Sequence, residues 1–218
     1  MKKRTIIAIA LLILLTTINS KQKLVISKFN LKEINIENNF LLKEEDLKNI
    51  LLPIYNKNLI FLKNSEIQTV LMQNSFIESF NIKKKYPSTL KIEIFEKKQI
   101  AILFNKKEKF YLSEKIDLIE YKNLPIYQNL PYIFGNEYEF KILHNNLTEI
   151  NFPLNQIKKY TLYETNRWDL ETKNNNIIKL HPKNYTKSLK NYLNLQNKSN
   201  FKKYKVFDYR IKNQLILK

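Results

Sequence analysis

Glycine occurs only once in this 218-residue chain, at Gly135. Walker loops and dinucleotide-binding turns each require several glycines so that backbone amides can approach a phosphate group, and this chain can build neither. The chain also lacks cysteine, which excludes a disulfide framework, a thiolate nucleophile and a cysteine metal site. Where a hairpin turn needs positive φ, asparagine must replace glycine, and the run Asn174–Asn176 is predicted to do so.

Positive charge dominates the composition, with 38 Lys and Arg residues against 20 Asp and Glu residues and a formal net charge of +18. Such an excess favours an acidic partner, nucleic acid or anionic lipid. The chain is also rich in lysine, asparagine and isoleucine, as a strongly AT-rich coding sequence would produce, and that bias explains the same excess without a function. With 44% hydrophobic residues, two small domains are expected.

The segment "MKKRTIIAIALLILLTTINSKQK" places three cations before an apolar run from Ile6 to Leu15. This pattern predicts either a cleaved signal peptide or an uncleaved, single-pass signal anchor, and the absence of a small-x-small cleavage site favours the anchor. We expect residues 1–4 to stay cytoplasmic, residues 5–20 to cross the membrane and the rest to be exported. Sixteen helical residues span about 24 Å, so snorkelling lysines or the "LVIS" at 24–27 are expected to make up the length of a hydrocarbon core of about 30 Å.

The next seventy or so residues follow a β-α-α-β-β order. A first strand around residues 31–36 precedes a helix in "LLKEEDLKNILL" that Pro53 stops, and Ser65 with Gln68 forms a capping-box pattern for a second helix. The stretches "SFIESFNIKKKYP" and "STLKIEIFEKK" predict two strands joined through Pro87. Alternation in the last strand places three side chains inward: Leu90, Ile92 and Ile94.

This stretch, residues 29–101, resembles the POTRA domain of the bacterial cell-division family FtsQ, called DivIB in some bacteria. The most specific part of the resemblance is "FIESFNIKKKYPSTLKIEIFEKKQIAIL". Its matching positions are Phe76–Ile77, Ser79–Phe80, Lys83–Lys85, Tyr86–Pro87, Thr89–Leu90, Glu96, Lys97 and Ala101. Gln99–Ile100 departs from the family, which often has proline there.

The resemblance continues through most of the remaining chain. The segments that carry it are "KFYLSEKIDLIEY", "LPYIFGNEY", the tryptophan hairpin "NRWDLETKNNNIIKLHP", the amphipathic helix "NYTKSLKNYLNLQN" and the closing strand in "YKVFDYRIKNQLILK". It implies an α+β protein: a short N-terminal transmembrane helix, a β-α-α-β-β POTRA module over 29–100, and a mainly antiparallel β domain over 101–218 with a C-terminal helix and a closing strand.

The family's role implies a non-enzymatic scaffold of the division machinery, without a cofactor. The implied protein sits in the inner membrane at the septum with its C-terminal domain in the periplasm, and links early and late septal proteins. The implied partners are an FtsB–FtsL-type coiled-coil pair and inner-membrane lipid, with no nucleic acid and no small-molecule substrate. Partner segments would add a strand beside the closing strand, because an edge strand offers unpaired amides and carbonyls.

Motif matching carries the family's partner contacts onto five positions: Arg167, Asp208, Arg210, Ile211 and Gln214. The arginines would make charge-assisted bonds to an acidic partner helix, and Ile211 would make apolar contact where the family commonly has an aromatic residue. Trp168, beside Arg167, is expected to be a core residue.

Three other interpretations of the sequence compete with this one. An envelope assembly factor or chaperone would use the same strand addition, but usually carries repeated POTRA modules or a barrel. An exported enzyme would need a catalytic set, and neither paired carboxylates nor a triad is evident; His144 and His181 lie far apart in polar contexts. A polyanion-binding role for Lys83–Lys85 is less expected than a solvated strand edge, because only Tyr86 adjoins the run.

Overall fold

The computed structural model describes residues 2–16 and 27–218 of the chain. Contacts divide the chain into two compact units, the first ending at Glu96 and the second running from Lys97 to Lys218.

The N-terminal element is the helix α1, Lys2–Thr16. Its large apolar side chains, among them Ile6, Ile9 and Leu12, are more than half exposed. Residues 17–20 of the predicted anchor lie outside the described residues. Over the residues that the structure describes, no helix is both long and apolar enough to cross a membrane.

The rest of the first unit is a three-stranded sheet with two helices, in the predicted β-α-α-β-β order. Its elements are β1 (Glu33–Glu37), α2 (Glu44–Ile50), α3 (Asn64–Leu71), β2 (Ile77–Lys85) and β3 (Thr89–Glu96). The spatial order is β1-β3-β2, with β1 parallel and β2 antiparallel to β3. The predicted alternation in β3 is confirmed, since Leu90, Ile92 and Ile94 are fully buried. The helices contribute buried side chains to the same unit: Leu47 of α2, Leu51 directly after it, and Ile67 and Leu71 of α3.

The predicted start of α3 is wrong. The helix begins at Asn64 with Lys63 in the N-cap position, so Ser65 lies inside the first turn. The Glu66 carboxylate accepts the Lys63 backbone N–H at 3.2 Å and the Lys57 ammonium at 2.6 Å. A carboxylate in the first turn satisfies the end of the helix as a serine cap would, so the helix starts earlier than the capping-box pattern suggested.

The lysine run lies on a sheet edge, as predicted. In the described part of the chain, β2 pairs with β3 alone. Lys83 and Lys85 are exposed, while Lys84 points to the helical side and donates to the Leu62 carbonyl. The run is therefore divided between the two faces of the strand, as the period of two requires.

The second unit is built on a nine-stranded sheet, with strand order β12-β11-β10-β9-β8-β7-β4-β5-β6. The strands are β4 (Gln99–Asn105), β5 (Glu108–Ser113), β6 (Leu118–Glu120), β7 (Tyr132–Phe134), β8 (Ile157–Leu162), β9 (Trp168–Thr172), β10 (Ile177–Lys179), β11 (Val206–Asp208) and β12 (Ile216–Leu217). Five of its eight described strand pairings are antiparallel; β4 with β7, β7 with β8 and β10 with β11 are parallel.

Two helices, α4 (Glu137–Glu149) and α5 (Thr186–Gln196), connect parallel strand pairs of this sheet. Both pack on the same face, against a row of buried side chains that runs from strand to strand: Leu103, Ile133, Tyr160, Leu170, Ile178 and Phe207. Helix α5 was predicted and α4 was not. The signal for α4 was present, since Asn136 caps it by accepting the Glu139 N–H at 2.9 Å and Phe140, Leu143 and Leu147 form its buried stripe.

Asparagine does replace glycine in the turns. Nine described non-glycine residues have positive φ, and seven of them are asparagines, including Asn175 in the turn between β9 and β10. Gly135 itself does not have positive φ. Its role is close packing, because a Cβ there would lie 3.0 Å from Leu162 Cβ and 3.1 Å from Trp168 Cη2.

The predicted single closing strand is wrong. The chain forms a hairpin instead, with β11 and β12 antiparallel and a turn between them at residues 211–213. Asn213 has φ 59°, a conformation that asparagine tolerates and that reverses the chain direction.

A candidate partner-binding surface on the carboxy-terminal hairpin

Charged residues form a row on the sheet face opposite α4 and α5. Asp169 of β9 lies beside Lys179 of β10, Lys179 lies beside Asp208 of β11, and Asp208 lies beside Ile216 of β12. Directly opposite side chains on neighbouring strands approach within about 5 Å, so the signs alternate at contact distance. The row ends at the strand that forms the edge of the described sheet.

Asp208 and Arg210 make a bidentate ion pair. Arg210 Nε lies 2.9 Å from Asp208 Oδ1, Arg210 Nη2 lies 2.7 Å from Oδ2, and the Arg210 backbone N–H also donates to Oδ1 at 3.1 Å. The Asp208 side chain is 5% exposed and that of Arg210 is 46% exposed. The hydrogen bonds from Arg210 lower the pKa of Asp208, so its carboxylate stays ionised and holds the half-exposed guanidinium in one orientation.

A second arginine, Arg167, pairs with Asp169 at 2.6 Å and stacks on the Tyr163 ring with its guanidinium carbon 3.9 Å from the ring centroid. Burial raises the pKa of Asp169, against the opposing effects of Arg167, Lys179, a hydrogen bond from Tyr163, and Arg210. The positive charge of Arg210 favours the ionised form of both Asp208 and Asp169. The two arginine–aspartate pairs therefore form one electrostatic cluster.

The structure brings together three of the five predicted contact residues: Arg167, Asp208 and Arg210. Ile211 follows directly in the hairpin turn with 52% of its surface exposed. Gln214 lies apart from the cluster, because it lines a cavity of about 800 Å³ between α5 and the hairpin.

Sequence reasoning missed three members of the cluster: Tyr163, Asp169 and Lys179. A signal for Asp169 was present in "RWD", which has the same spacing as "DYR" at 208–210. Residues two apart in a strand share a face, so both motifs predict an arginine–aspartate pair on one side of the sheet. Lys179 had no local signal, since its place depends on strand order.

The backbone of β12 offers a free edge within the described sheet. Val206 and Lys218 exchange both backbone hydrogen bonds, at 2.9 and 3.1 Å. Hydrogen-bonded and non-bonded pairs alternate in an antiparallel ladder, so the N–H and C=O of Leu217 point away from β11. Exposed Ile216 and Ile211 lie close to this edge in the chain. The arrangement can accept an extended segment by backbone pairing, with cationic and apolar groups beside it.

Metal chemistry has no support in the described residues, where no three His, Cys, Asp or Glu side chains are placed to hold an ion. His144 lies on α4 beside Phe140, and burial lowers its pKa. His181 Nδ1 is occupied by the backbone of Lys183.

Comparisons with known proteins show similarity to bacterial cell-division proteins. The family model for the FtsQ-type POTRA domain matches residues 29–97. "Cell division protein FtsQ" of Rickettsia bellii is 29% identical over 192 residues, covering 85% of this chain and 71% of the relative. The proteins of the same name from Rickettsia felis and Rickettsia conorii are each 28% identical over the same shares.

A solved extracytoplasmic domain of the cell-division protein DivIB from Geobacillus stearothermophilus is 15% identical, with a TM-score of 0.35 over 47% of this chain and 92% of that domain. The relatives' similarity extends far beyond the POTRA module, because it covers 85% of this chain. The chain therefore carries an FtsQ-type POTRA domain and is similar over most of its length to bacterial cell-division proteins named FtsQ.

Proposed function

We propose that this cell-division protein is a single-pass inner-membrane scaffold that links early and late septal proteins through its C-terminal hairpin. The observation that carries the proposal is the free edge of β12, next to the half-exposed guanidinium of Arg210. The proposed role is non-enzymatic and requires no cofactor, nucleic acid or small-molecule substrate.

The proposed anchor is the N-terminal segment, with Lys2, Lys3 and Arg4 in the cytoplasm and the C-terminal units in the periplasm. The exposed apolar side chains of α1 support this anchor. A helix with apolar side chains on all its faces is more stable in lipid than in water. We propose that the POTRA module, residues 29–100, recruits the protein to the septum and that the β domain, residues 101–218, binds the partners.

The proposed partner is an FtsB–FtsL-type coiled-coil pair whose extended segment adds to β12. The outward N–H and C=O of Leu217 would begin the new ladder. Arg210 and Arg167 would then face acidic side chains of the partner helix, each already oriented by its own aspartate, so that little side-chain entropy is lost on binding. Ile211 would supply apolar contact at the turn.

The side-chain contacts are tested with the variants Arg210→Glu and Ile211→Asp, measuring affinity for the purified partner pair from the same organism by calorimetry. Each is expected to weaken binding by about tenfold or more, the range of an interface hot spot. The matched control is Ile126→Asp, which changes a residue that is 71% exposed between β6 and β7. Unchanged affinity in both hairpin variants, with folding intact, would contradict the proposed surface.

Strand addition is tested separately at Leu217. Leu217→Pro removes the outward N–H, and Leu217→Ala keeps that N–H while shortening the same side chain. The backbone hydrogen bonds between β12 and β11 are made by the residues on either side of Leu217, such as Lys218. Proline at position 217 therefore removes none of them and is tolerated at this edge position. We expect the proline variant to bind at least several-fold more weakly than the alanine variant. Equal affinities would show that side chains alone carry the contact.

A further inference from the structure

One end of the POTRA sheet, here called the proximal end, carries a cluster of exposed Ile60, Phe61 and Tyr86 around half-buried Phe29, with nearby lysines. Backbone and ring contacts hold its parts together. Leu59 N–H donates to the Phe29 carbonyl at 2.7 Å, and the Phe29 and Tyr86 rings lie 6.1 Å apart, edge to face. The Lys84 ammonium reaches the Leu62 carbonyl, so the end of β2 is also joined to the segment that bears Phe61.

The apolar members of the proximal end face solvent. Phe61 is 73% exposed, Tyr86 is 58% exposed and Ile60 is 47% exposed. Single exposed apolar residues are ordinary on a protein surface, but a group joined by backbone and ring contacts with a polar rim indicates an interaction site.

That rim is strongly cationic. Four exposed lysines lie next to the cluster along the chain or on β2: Lys28, Lys63, Lys83 and Lys85. A fifth, Lys57, is paired with Glu66 at 2.6 Å, so these two charges offset each other. Aromatic residues among lysines are the composition that binds the interface of an anionic membrane.

The chain enters the sheet of the first unit at this end, because Ser27–Phe29 leads into β1 there. Residues 17–26 separate α1 from Ser27, and whatever their conformation, covalent geometry limits their span to about 40 Å. The opposite end of the sheet, where exposed Phe40 follows β1, lies one length of β3 away from this entry point, about 26 Å at 3.3 Å per residue.

We infer that the proximal end docks on the anionic lipid surface of the membrane that holds α1. Ile60, Phe61 and Tyr86 enter the interface between headgroups and acyl chains, and the lysines bind anionic headgroups. The inference rests on the membrane anchor of the proposed function. Docking would fix the orientation of the POTRA module on the membrane and leave the Phe40 end pointing away.

The absence of cysteine from the chain makes a clean test possible, because one introduced cysteine gives one labelled site. Full-length protein with Ile60→Cys carries a bimane fluorophore and is placed in nanodiscs containing nitroxide-labelled lipid, with about one third anionic lipid. The matched site is Phe40→Cys at the opposite end. We expect about threefold or greater quenching at position 60 relative to position 40, falling in neutral lipid or at about 0.5 M salt, where the screening length is only a few ångströms.

Two variants separate the contributions. Phe61→Asp with Tyr86→Asp is expected to abolish the difference between the two labelled sites, and Lys83→Glu with Lys85→Glu is expected to remove its dependence on anionic lipid. Equal quenching at positions 60 and 40 would overturn the inference. A higher quenching at position 60 that appears only when the coiled-coil pair is added would overturn it as well. Failure of the anchor itself would be distinguished, because the protein would then be extracted from membranes at alkaline pH.

Discussion

At the scale of single residues, Gln99 is the clearest local defect. Its side chain is 3% exposed, and neither its amide nitrogen nor its amide oxygen has a hydrogen-bonding partner among the described residues. A buried polar group without a partner keeps its full desolvation cost. The sequence marked this position only as a departure from the family's proline, and gave no sign of burial.

We therefore predict that Gln99→Met raises the free energy of unfolding by about 1–2 kcal/mol, because it removes unpaired polar atoms and nearly conserves volume. Urea unfolding of the full chain in non-ionic detergent measures the change. The control is Gln128→Met, which replaces an exposed glutamine in the same unit and should change little. A loss of stability in Gln99→Met would mean that the amide is satisfied by ordered water.

Asp208 and Asp169 should affect stability with opposite dependence on pH. Arg210 lowers the pKa of Asp208, so its contribution is present above the unfolded pKa of about 3.9 and is lost as pH falls through the folded pKa. Burial raises the pKa of Asp169, so its contribution is present below about 3.9 and is lost as pH rises through the folded pKa.

Unfolding measured between about pH 3 and pH 6 for Asp208→Asn and Asp169→Asn tests this pair of signs. Asp208→Asn should flatten the loss of stability in acid relative to the unmodified chain. Asp169→Asn should steepen that loss, because it removes the opposing group. Identical changes in slope for the two variants would contradict the assigned environments.

At the scale of elements, a carboxylate at the end of β3 fixes the loop between β1 and α2. Glu96 Oε1 accepts the backbone N–H groups of Phe40, Leu41 and Leu42, each at 3.0 Å, and Oε2 accepts that of Leu41 at 2.9 Å. Three consecutive N–H groups directed at one carboxylate form an anion nest. The match of Glu96 to the family motif thus has a structural reason.

Glu96→Gln is expected to lower the free energy of unfolding by about 1–3 kcal/mol, since the amide replaces one accepting oxygen with a donor that opposes the N–H groups. Hydrogen exchange of the amides at residues 40–42 should accelerate in parallel. Glu93→Gln on the same strand is the control, because Glu93 accepts a bond from the Asn81 side chain on the sheet's outer face. Equal effects of the two substitutions would rule out a special role for the nest.

Elements with a strong hydrophobic periodicity could be predicted from the sequence. Elements that depend on pairing between distant strands could not. The alternation in β3 and the stripe in α5 follow from residue order alone, and both were confirmed. The start of α3 was misplaced because an acidic first turn competed with the serine cap. The closing strand was read as one element because both arms of the hairpin are extended, and only the turn at Asn213 separates them.

At the scale of the whole molecule, the net charge of +18 implies self-repulsion in the folded state. We predict that the melting temperature in non-ionic detergent rises by several degrees as sodium chloride increases from about 10 to 150 mM, because the screening length falls from about 30 to 8 Å. Near the isoelectric point, about pH 9.7, the same salt increase should have little effect. A salt effect of equal size at both pH values would indicate a specific ion effect instead of relief of repulsion.

By itself the sequence determined the order of the elements in the first unit and the resemblance to the FtsQ family, because periodicity, turn chemistry and motif spacing act over a few residues. It also predicted Arg167, Asp208 and Arg210 as partner contacts. Only the tertiary structure decided that these three share one face with Asp169 and Lys179, that Gln214 lies elsewhere, and that β12 forms the described edge. Strand order and register join residues far apart in the chain, and no local pattern encodes which strands become neighbours.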